Sequence, residues 1–504
     1  MEFYVADGNN AMGFSDEEAD WAFLGYRQFS SNTGLLVMMM AAFGASMRTV
    51  FVTSLVALAA SFAFAVNDIG MPPGTSFTGM VLYGGLASFG TALIVLASFF
   101  SVLFTRDFLE GTAFHTGEVY AMLLFATTGM ISLATANNLV LLFVGLETMS
   151  VSLYVLAGLF RHTKEGAEAG LKYFLLGAFS TGFLLYGIAL LYGATGTLWL
   201  DEIAEAASAT PLFLAGAALL LVGLLFKVSA VPFHMWTPDV YQGTPTTLTG
   251  YMSTASKTAS FLALCLVVMR LFAGATSLDT LGDLAAGMIA ESRGGKALSV
   301  MAVLTMVVGN LVALTQDNVK RMLAYSSIAH AGYLMVGIVA GSQAGFSGVV
   351  YYLFAYTVMN LGAFGVIAYF ERQEGLDYTR VENFAGLGTR SPMMAVLLSL
   401  FLFSLAGIPP FVGFLGKYYV FAAAVESGLI TLAIIGVLAS ATSVYYYLRV
   451  MVFMYFREAH VTPELRAPGW TYSVGLSVLA LLTLYYGIEP LLPVDSLFAL
   501  LSGF

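Results

Sequence analysis

The chain has 504 residues, of which 59% are hydrophobic and only 10% charged, and its mean hydropathy is +0.85. So little polar material cannot cover a soluble protein of this size, which leaves a polytopic membrane protein. Although the net charge is −10, no basic run offers a nucleic-acid surface, and the single Cys265 excludes an internal disulfide or a cysteine-ligated cluster or zinc site built by this chain alone.

The first 33 residues carry Glu2, Asp7, Asp16, Glu17, Glu18 and Asp20 and lack the basic start of a signal peptide, so they read as an exposed acidic arm. A membrane helix needs roughly 20 apolar residues, and about fourteen such stretches follow. Their expected limits are 34–47, 49–67, 79–105, 118–136, 138–158, 170–193, 211–233, 246–272, 298–316, 322–341, 346–370, 392–422, 428–455 and 471–492. Helices apolar on every side give no periodicity at their ends, so charges, Gly and Pro set these limits.

Basic residues set the orientation. On one side fall Arg48, Arg106, Arg161, Lys164, Lys320, Arg321, Arg372, Arg380, Arg390, Arg449, Arg457 and Arg466, against Arg27, Arg270, Arg293 and Lys296 on the other. Lys172, Lys227, Lys257 and Lys417 lie within spans. By the positive-inside rule the richer side is cytoplasmic, and both termini face away from it.

Two spans carry helix-breaking prolines. The seventh is broken after Lys227, at Pro232, and the twelfth at Pro409 and Pro410, before Lys417. The lysine precedes one break and follows the other, in helices that run in opposite directions. This predicts an all-α fold of about fourteen helices with two inverted five-helix repeats, helices 4–8 and 9–13, and broken helices 7 and 12. The expected divisions are the arm at 1–33, peripheral helices 1–3 at 34–117, the repeats at 118–272 and 298–455, and the last helix and C-terminus at 471–504.

A lysine at bilayer depth costs on the order of 3 kcal/mol by insertion scales, so buried lysines read as functional. Glu147, in LLFVGLETMSVSLYVL, is the acidic residue expected at mid-span, with Lys227 as its natural partner. As a tunable pair, Glu147 gains a proton or moves, and Lys227 then hands its own proton onward. As a static pair, the two would only clamp helices 5 and 7. Lys257 sits mid-span among Ser253, Thr254, Ser256, Thr258 and Ser260, which can hold a water chain or bond their own helix carbonyls. Lys417, nearer a helix end, is a further proton carrier or a snorkelling lysine, and Lys172 can also snorkel. His234 and His330 are candidate relays or packing residues. Asp239 follows Pro238 and reads as a turn brace, while His115 and His162 read as solvated surface. The residues alone therefore point to an ion translocator, with the proton as its cargo.

Four stretches, FKVSAVPFHMWTPDVYQGTPTTLTGYMSTASK, VGLETMSVSLYVL, NVKRMLAYSSIAHAGYLMVG and SLAGIPPFVGFLGKYYVF, resemble the subunit N family of bacterial proton-pumping NADH:quinone oxidoreductase, respiratory complex I. The likeness runs from about Gly117 to Gly487. WTPDVYQGTP separates it from the sister subunits L and M, which tend to read WLPDA. Subunit M has glutamate where Lys417 stands, and subunit L carries a long C-terminal lateral helix. Two features depart from the family pattern: Thr247 stands where a second proline is frequent, and the acidic arm is long.

The resemblance implies fourteen helices in two inverted repeats. It makes Glu147 and Lys227 the coupled pair, Lys257 the central relay and Lys417 the outward-side donor, with His234 and His330 helping to conduct. It also implies a multi-pass place in the bacterial inner membrane, beside subunit M, small membrane subunits and the peripheral subunits. NADH, FMN, iron–sulfur clusters and quinone would all be used in other subunits, with no cofactor in this chain. The alternative is a subunit of a multi-subunit Na⁺/H⁺ antiporter, which shares the fold and the lysines. A structural scaffold without an ion path is the reading of a different class.

Overall fold

The computed structural model describes residues 32–207, 210–273, 292–373, 376–459 and 465–490; all of the expected arm but its last two residues, and the chain after 490, lie outside the described residues. Helix α1 (Asn32–Ala42) is short and apolar. It stops earlier than the expected 47 because Gly44 turns the chain at φ 73, a left-handed conformation that glycine adopts without steric cost. Ser46 then caps α2 (Met47–Asp68) by accepting from the Thr49 amide at 3.2 Å. An antiparallel hairpin, β1 (Gly74–Ser76) and β2 (Val81–Tyr83), follows and departs from the all-helical expectation. The reason is local: Pro72, Pro73, Gly74 and Gly79 disfavour helix in the connection.

The helices continue as α3 (Gly85–Leu109), α4 (Gly117–Ala134), α5 (Leu139–Ala157), α6 (Lys164–Thr195), the short α7 (Leu200–Glu205), α8 (Pro211–Lys227) and the short α9 (Thr237–Gly243). Next come α10 (Thr246–Tyr251), a π-helical turn (Met252–Ser256) and α11 (Lys257–Ala273), which form one continuous span. The chain then builds α12 (Arg293–Ala313), α13 (Val319–Ala340), α14 (Gln343–Glu371), the short α15 (Leu387–Arg390), α16 (Pro392–Ala406), α17 (Val412–Glu426), α18 (Ile430–Phe456) and α19 (Trp470–Ile488). Among the described residues eleven helices are long and apolar enough to cross a membrane, and α1, α8 and α16 are shorter apolar helices.

Burial sorts these helices into a centre and a rim. The span through α10 and α11, together with α13 and α14, is almost wholly enclosed. Helices α6, α18 and α19 turn large apolar side chains outward, among them Phe179 (68% exposed), Leu438 (64%) and Leu481 (66%). Such a rim is stable only against lipid, and the chain is an integral membrane protein. The most extensive helix contacts are α4 with α5, α6 with α8, α12 with α13, α14 with α17 and α2 with α3. Small residues allow the close crossings: a Cβ on Gly129 would stand 2.3 Å from the Met149 nitrogen, and one on Gly309 2.6 Å from that of Ala329.

Both expected breaks are present, with sharper limits. Helix α8 ends at Lys227 instead of running to 233, and residues 228–236 form turns with Ser229 at φ 64. The expected span 392–422 is two helices, α16 and α17, separated at Gly407 (φ 84) and Phe411. Cis peptide bonds occur at Val231–Pro232 and Pro409–Pro410. The π-helical turn before Lys257 is an irregularity that the sequence did not announce.

Candidate functional site: a row of buried lysines

Three lysines lie in the enclosed part of the bundle, each beside irregular backbone. Lys227 is the last residue of α8, Lys257 the first after the π-helical turn, and Lys417 lies soon after the second break. Among the described residues none of them has a carboxylate within salt-bridge distance. Their hydrogen bonds go instead to hydroxyls and main-chain carbonyls.

Lys227 donates to Ser150 Oγ at 2.7 Å and to Tyr154 OH at 3.2 Å, both on α5. Its ammonium stands 5.2 Å from the Tyr154 ring and 5.6 Å from that of Tyr173, within cation–π range. Tyr173 stacks on Trp236 at 4.6 Å, and Trp236 Nε1 donates to the Phe226 carbonyl at 3.1 Å. No static Glu147–Lys227 ion pair clamps α5 to α8 among the described residues. Glu147 is only half-buried, and its Oε1 accepts from Thr181 Oγ1 on α6 at 2.8 Å. The physical reason is helical phase: Glu147 and Ser150 are neighbours on α5, and Ser150 is the one that meets Lys227.

Lys257 donates to the Ser327 carbonyl of α13 at 2.5 Å. Tyr356 OH donates to Ser327 Oγ at 2.9 Å and accepts from Asn360 Nδ2 at 3.1 Å. Asn360 also donates to Ser253 Oγ at 2.8 Å. Of the five hydroxyls around Lys257, Ser253, Thr254 and Ser260 bond carbonyls of their own helix, at Gly250 and Ser256. Thr258 faces Thr357 Oγ1 at 3.4 Å.

His330 is buried on α13, with Tyr352 OH 2.7 Å from Nδ1 and Tyr447 OH 3.2 Å from Nε2. Tyr447 also bonds Ser326, and its ring lies 4.5 Å from that of Tyr446, which donates to Asn310 Oδ1. Asn310 Nδ2 donates to Tyr333 OH at 2.9 Å, and the Tyr333 ring is 5.3 Å from the Lys417 ammonium. Polar groups thus run from the Lys257 side through His330 toward Lys417. His234 is half-buried, and among the described residues its Nδ1 is enclosed without a hydrogen-bond partner and no hydrogen bond joins it to the three lysines.

Lys417 does not snorkel. Its ammonium donates to the carbonyls of Leu405 (3.0 Å) and Ala406 (2.9 Å) and to Ser440 Oγ (2.8 Å). The two carbonyls end α16, where the break frees them from helical bonding. Gly407 makes this approach possible, since a Cβ there would stand 2.9 Å from Lys417 Cδ and 3.1 Å from Nζ.

At one end of the bundle Asp239, on α9 outside the spanning helices, joins Lys172 of α6 at 2.6 Å and Arg321 of α13 at 2.5 Å. Lys172 also pairs with Glu168 at 2.5 Å. Burial works against the Asp239 carboxylate, but the hydrogen bonds and charges of Lys172 and Arg321 outweigh it and hold the group below its ordinary range. Lys320 donates to the Thr244 carbonyl at 2.7 Å and meets Glu371 at 3.5 Å. His115, expected at a solvated surface, is half-buried and bonded to Tyr120 OH at 3.1 Å. His162 is exposed and stacks on Phe114.

Sequence reasoning missed Ser150, Tyr154, Ser327, Tyr356, Asn360, Tyr447 and Ser440. The available signal was polar groups inside apolar spans, such as Ser326 and Ser327 beside His330, and tyrosine pairs such as Tyr446 and Tyr447.

Comparison with known proteins bears on what this arrangement serves. Residues 136–443 match the family profile described as NADH:quinone oxidoreductase/Mrp antiporter, TM. The NADH-quinone oxidoreductase subunit N of Salinibacter ruber is 50% identical over 409 residues, covering 80% of this chain and 78% of that protein. Subunit N 1 of Herpetosiphon aurantiacus is 38% identical over 491 residues, covering 95% and 96%. A chain in the structure of respiratory complex I from Thermus thermophilus with bound aureothin superposes with a TM-score of 0.79 at 33% identity, covering 94% of this chain and 99% of that one. One in the Mrp complex of Dietzia sp. superposes with 0.81 at 21% identity over 95% and 96%, a likeness of fold alone. The chain therefore belongs to the NADH:quinone oxidoreductase/Mrp antiporter membrane family and, within it, to the NADH-quinone oxidoreductase subunit N group.

Proposed function

We propose that this chain is a proton-translocating membrane subunit of a bacterial NADH:quinone oxidoreductase, carrying protons through Glu147, Lys227, Lys257 and Lys417 while other subunits carry out the redox chemistry. The observation that carries this reading is the set of three buried lysines with no carboxylate partner among the described residues, each beside a backbone irregularity. Buried ammonium groups are costly, and hydroxyls and carbonyls stabilise them while leaving the proton free to move.

Glu147 is the entry group. Its proton state acts on Lys227 through space and through α5, where Ser150 lies about one turn further along. The proton then passes to Lys257, which gives it to the Ser326, Tyr447 and His330 chain that leads toward Lys417. Tyrosine and serine hydroxyls serve as relays because each can accept one hydrogen bond and donate another. His330 has one hydroxyl on each ring nitrogen and can exchange a proton at both.

The reading extends to two inverted five-helix repeats. Supporting it, Asn138 caps α5 and bridges Trp199, while Asn318 caps α13, the corresponding helix, and bridges Arg380. Within the expected repeats, the most extensive helix pairs are likewise distributed two to each half. We assign the arginine-rich side to the cytoplasm of a bacterial inner membrane. The partners are the antiporter-like subunit M, small membrane subunits and the peripheral subunits that use NADH, FMN, iron–sulfur clusters and quinone.

The test is to affinity-tag the chain, purify it in mild detergent and measure NADH:quinone reductase activity in the copurified material, alongside proton uptake by vesicles. Flavin- and iron–sulfur-bearing partners with NADH-dependent proton uptake, lost on Lys257→Ala, support the reading. Small antiporter subunits with Na⁺-dependent proton exchange and no redox activity replace it with the Na⁺/H⁺ antiporter.

A further inference from the structure

Asn360 sits in the middle of α14, 1% exposed, between the π-helical turn and the Lys257 contact. Its Nδ2 donates to Ser253 Oγ at 2.8 Å and to Tyr356 OH at 3.1 Å. Both partners have committed their own protons elsewhere, Ser253 to the Gly250 carbonyl at 2.8 Å and Tyr356 to Ser327 Oγ at 2.9 Å. Each therefore offers Asn360 a lone pair only, and this fixes the amide with its NH₂ toward them. Oδ1 then points away from both and is buried without a hydrogen-bond partner among the described residues.

Each contact bears on Lys257. Ser253 belongs to the π-helical turn that sets the rotational phase at which Lys257 leaves it. Tyr356 bonds the side chain of Ser327, the residue whose carbonyl receives the ammonium, and its ring centroid is 6.0 Å from Lys257 Nζ. A π-helical turn inside a membrane helix needs a neighbour that holds it, and such turns concentrate at functional sites.

We propose that Asn360 is the positioning residue of the Lys257 relay. Its two N–H groups hold the π-helical turn in phase and aim the Tyr356 hydroxyl at Ser327. Its buried Oδ1 is the acceptor for an internal water molecule on the proton path. Asn360 itself neither gains nor loses a proton. This assignment rests on the proton-translocation reading above.

The experiment compares Asn360→Leu, Asn360→Asp and Lys257→Ala in the assembled complex, measuring protons taken up per NADH oxidised across pH. Asn360→Leu removes both donors and lowers proton uptake on the order of ten-fold, with complex content retained. Asn360→Asp has the same shape but donates only when protonated, so its pumping profile moves toward acid by about one pH unit. A residue that merely filled space would leave the Asn360→Asp profile at its wild-type position. Should Asn360→Leu fail to assemble, the Asn360→Asp profile decides. Loss of pumping in Lys257→Ala with wild-type profiles in both Asn360 variants overturns this inference alone. Full pumping in Lys257→Ala overturns the translocation reading beneath it.

Discussion

The Lys257 ammonium rests 2.5 Å from the Ser327 carbonyl, with no carboxylate in salt-bridge range among the described residues. A carbonyl dipole stabilises the charged lysine yet leaves no buried anion behind when the proton departs. The prediction follows from comparing two replacements. Lys257→Ala removes the carrier, and Lys257→Arg keeps the charge but cannot release a proton. Both are expected to lose at least about ten-fold in NADH-driven proton uptake, while subunit content in blue-native gels is unchanged. Wild-type uptake in Lys257→Arg would mean that fixed charge suffices and that Lys257 relays nothing.

Lys417 depends on Gly407 for its place. The glycine holds φ 84, and its missing side chain leaves room for the lysine stem. Gly407→Ala is expected to cost about 1–2 kcal/mol for the left-handed backbone alone, and to push Lys417 off the Leu405 and Ala406 carbonyls. The measurement is thermal stability of the detergent-solubilised complex together with proton uptake. Ser440→Ala, which removes one of three acceptors, should be milder in both readouts. Equal behaviour of Gly407→Ala and wild type would remove the carbonyl cradle from the account of Lys417.

Much of this arrangement was legible from residue type alone. A lysine or proline inside an apolar run is conspicuous because the bilayer penalises both, so Lys227, Lys257, Lys417 and the breaks at Pro232 and Pro409 stood out. What surrounds them did not, because Ser150, Ser327, Tyr356 and Asn360 belong to helices far away in sequence. That Lys227 bonds Ser150 and not the Glu147 carboxylate was hidden for the same reason: which face of α5 meets Lys227 depends on helix phase, and an all-apolar helix does not display its phase. The π-helical turn before Lys257 left no mark either, since its residues MSTAS are compatible with ordinary helix. The hairpin of β1 and β2 was signalled by its Pro and Gly content, yet β2 fell inside the expected span 79–105, whose helix begins only at Gly85.

Glu147 bonds Thr181 while Lys227 bonds Ser150 and Tyr154, so their hydrogen bonds can be removed one at a time. Glu147→Gln keeps an oxygen for Thr181, so assembly and thermal stability should change little while proton uptake falls. Tyr154→Phe removes one of two Lys227 acceptors and should cost about 1 kcal/mol of stability. In a double-mutant cycle on thermal stability the two changes should couple by less than about 0.5 kcal/mol. A coupling several times larger would mean that Glu147 and the Tyr154 contact of Lys227 act as one unit in the resting state.

Asp239 ties α6 to α13 at the end of the bundle next to the first break, through Lys172 and Arg321. Its carboxylate is held below the ordinary range despite burial, so its contribution has a defined sign. The contribution is fully present above the unfolded carboxylate value, about 3.9, and is lost as pH falls through the lower folded value. The Lys172 arm is discounted because that side chain is 40% exposed, whereas Arg321 (28%) and Asp239 (25%) are better enclosed. Asp239→Asn is therefore expected to destabilise this corner by about 1 kcal/mol between pH 5 and 8, and progressively less as the pH is taken below about 4. Hydrogen exchange of the α9 amides, compared between wild type and Asp239→Asn at each pH, reads this directly. Faster exchange in the variant at pH 7, converging with wild type in acid, is the expected pattern. Equal protection at pH 7 would mean that the ion pairs do not hold α9, and that the turn after Lys227 is fixed by packing alone.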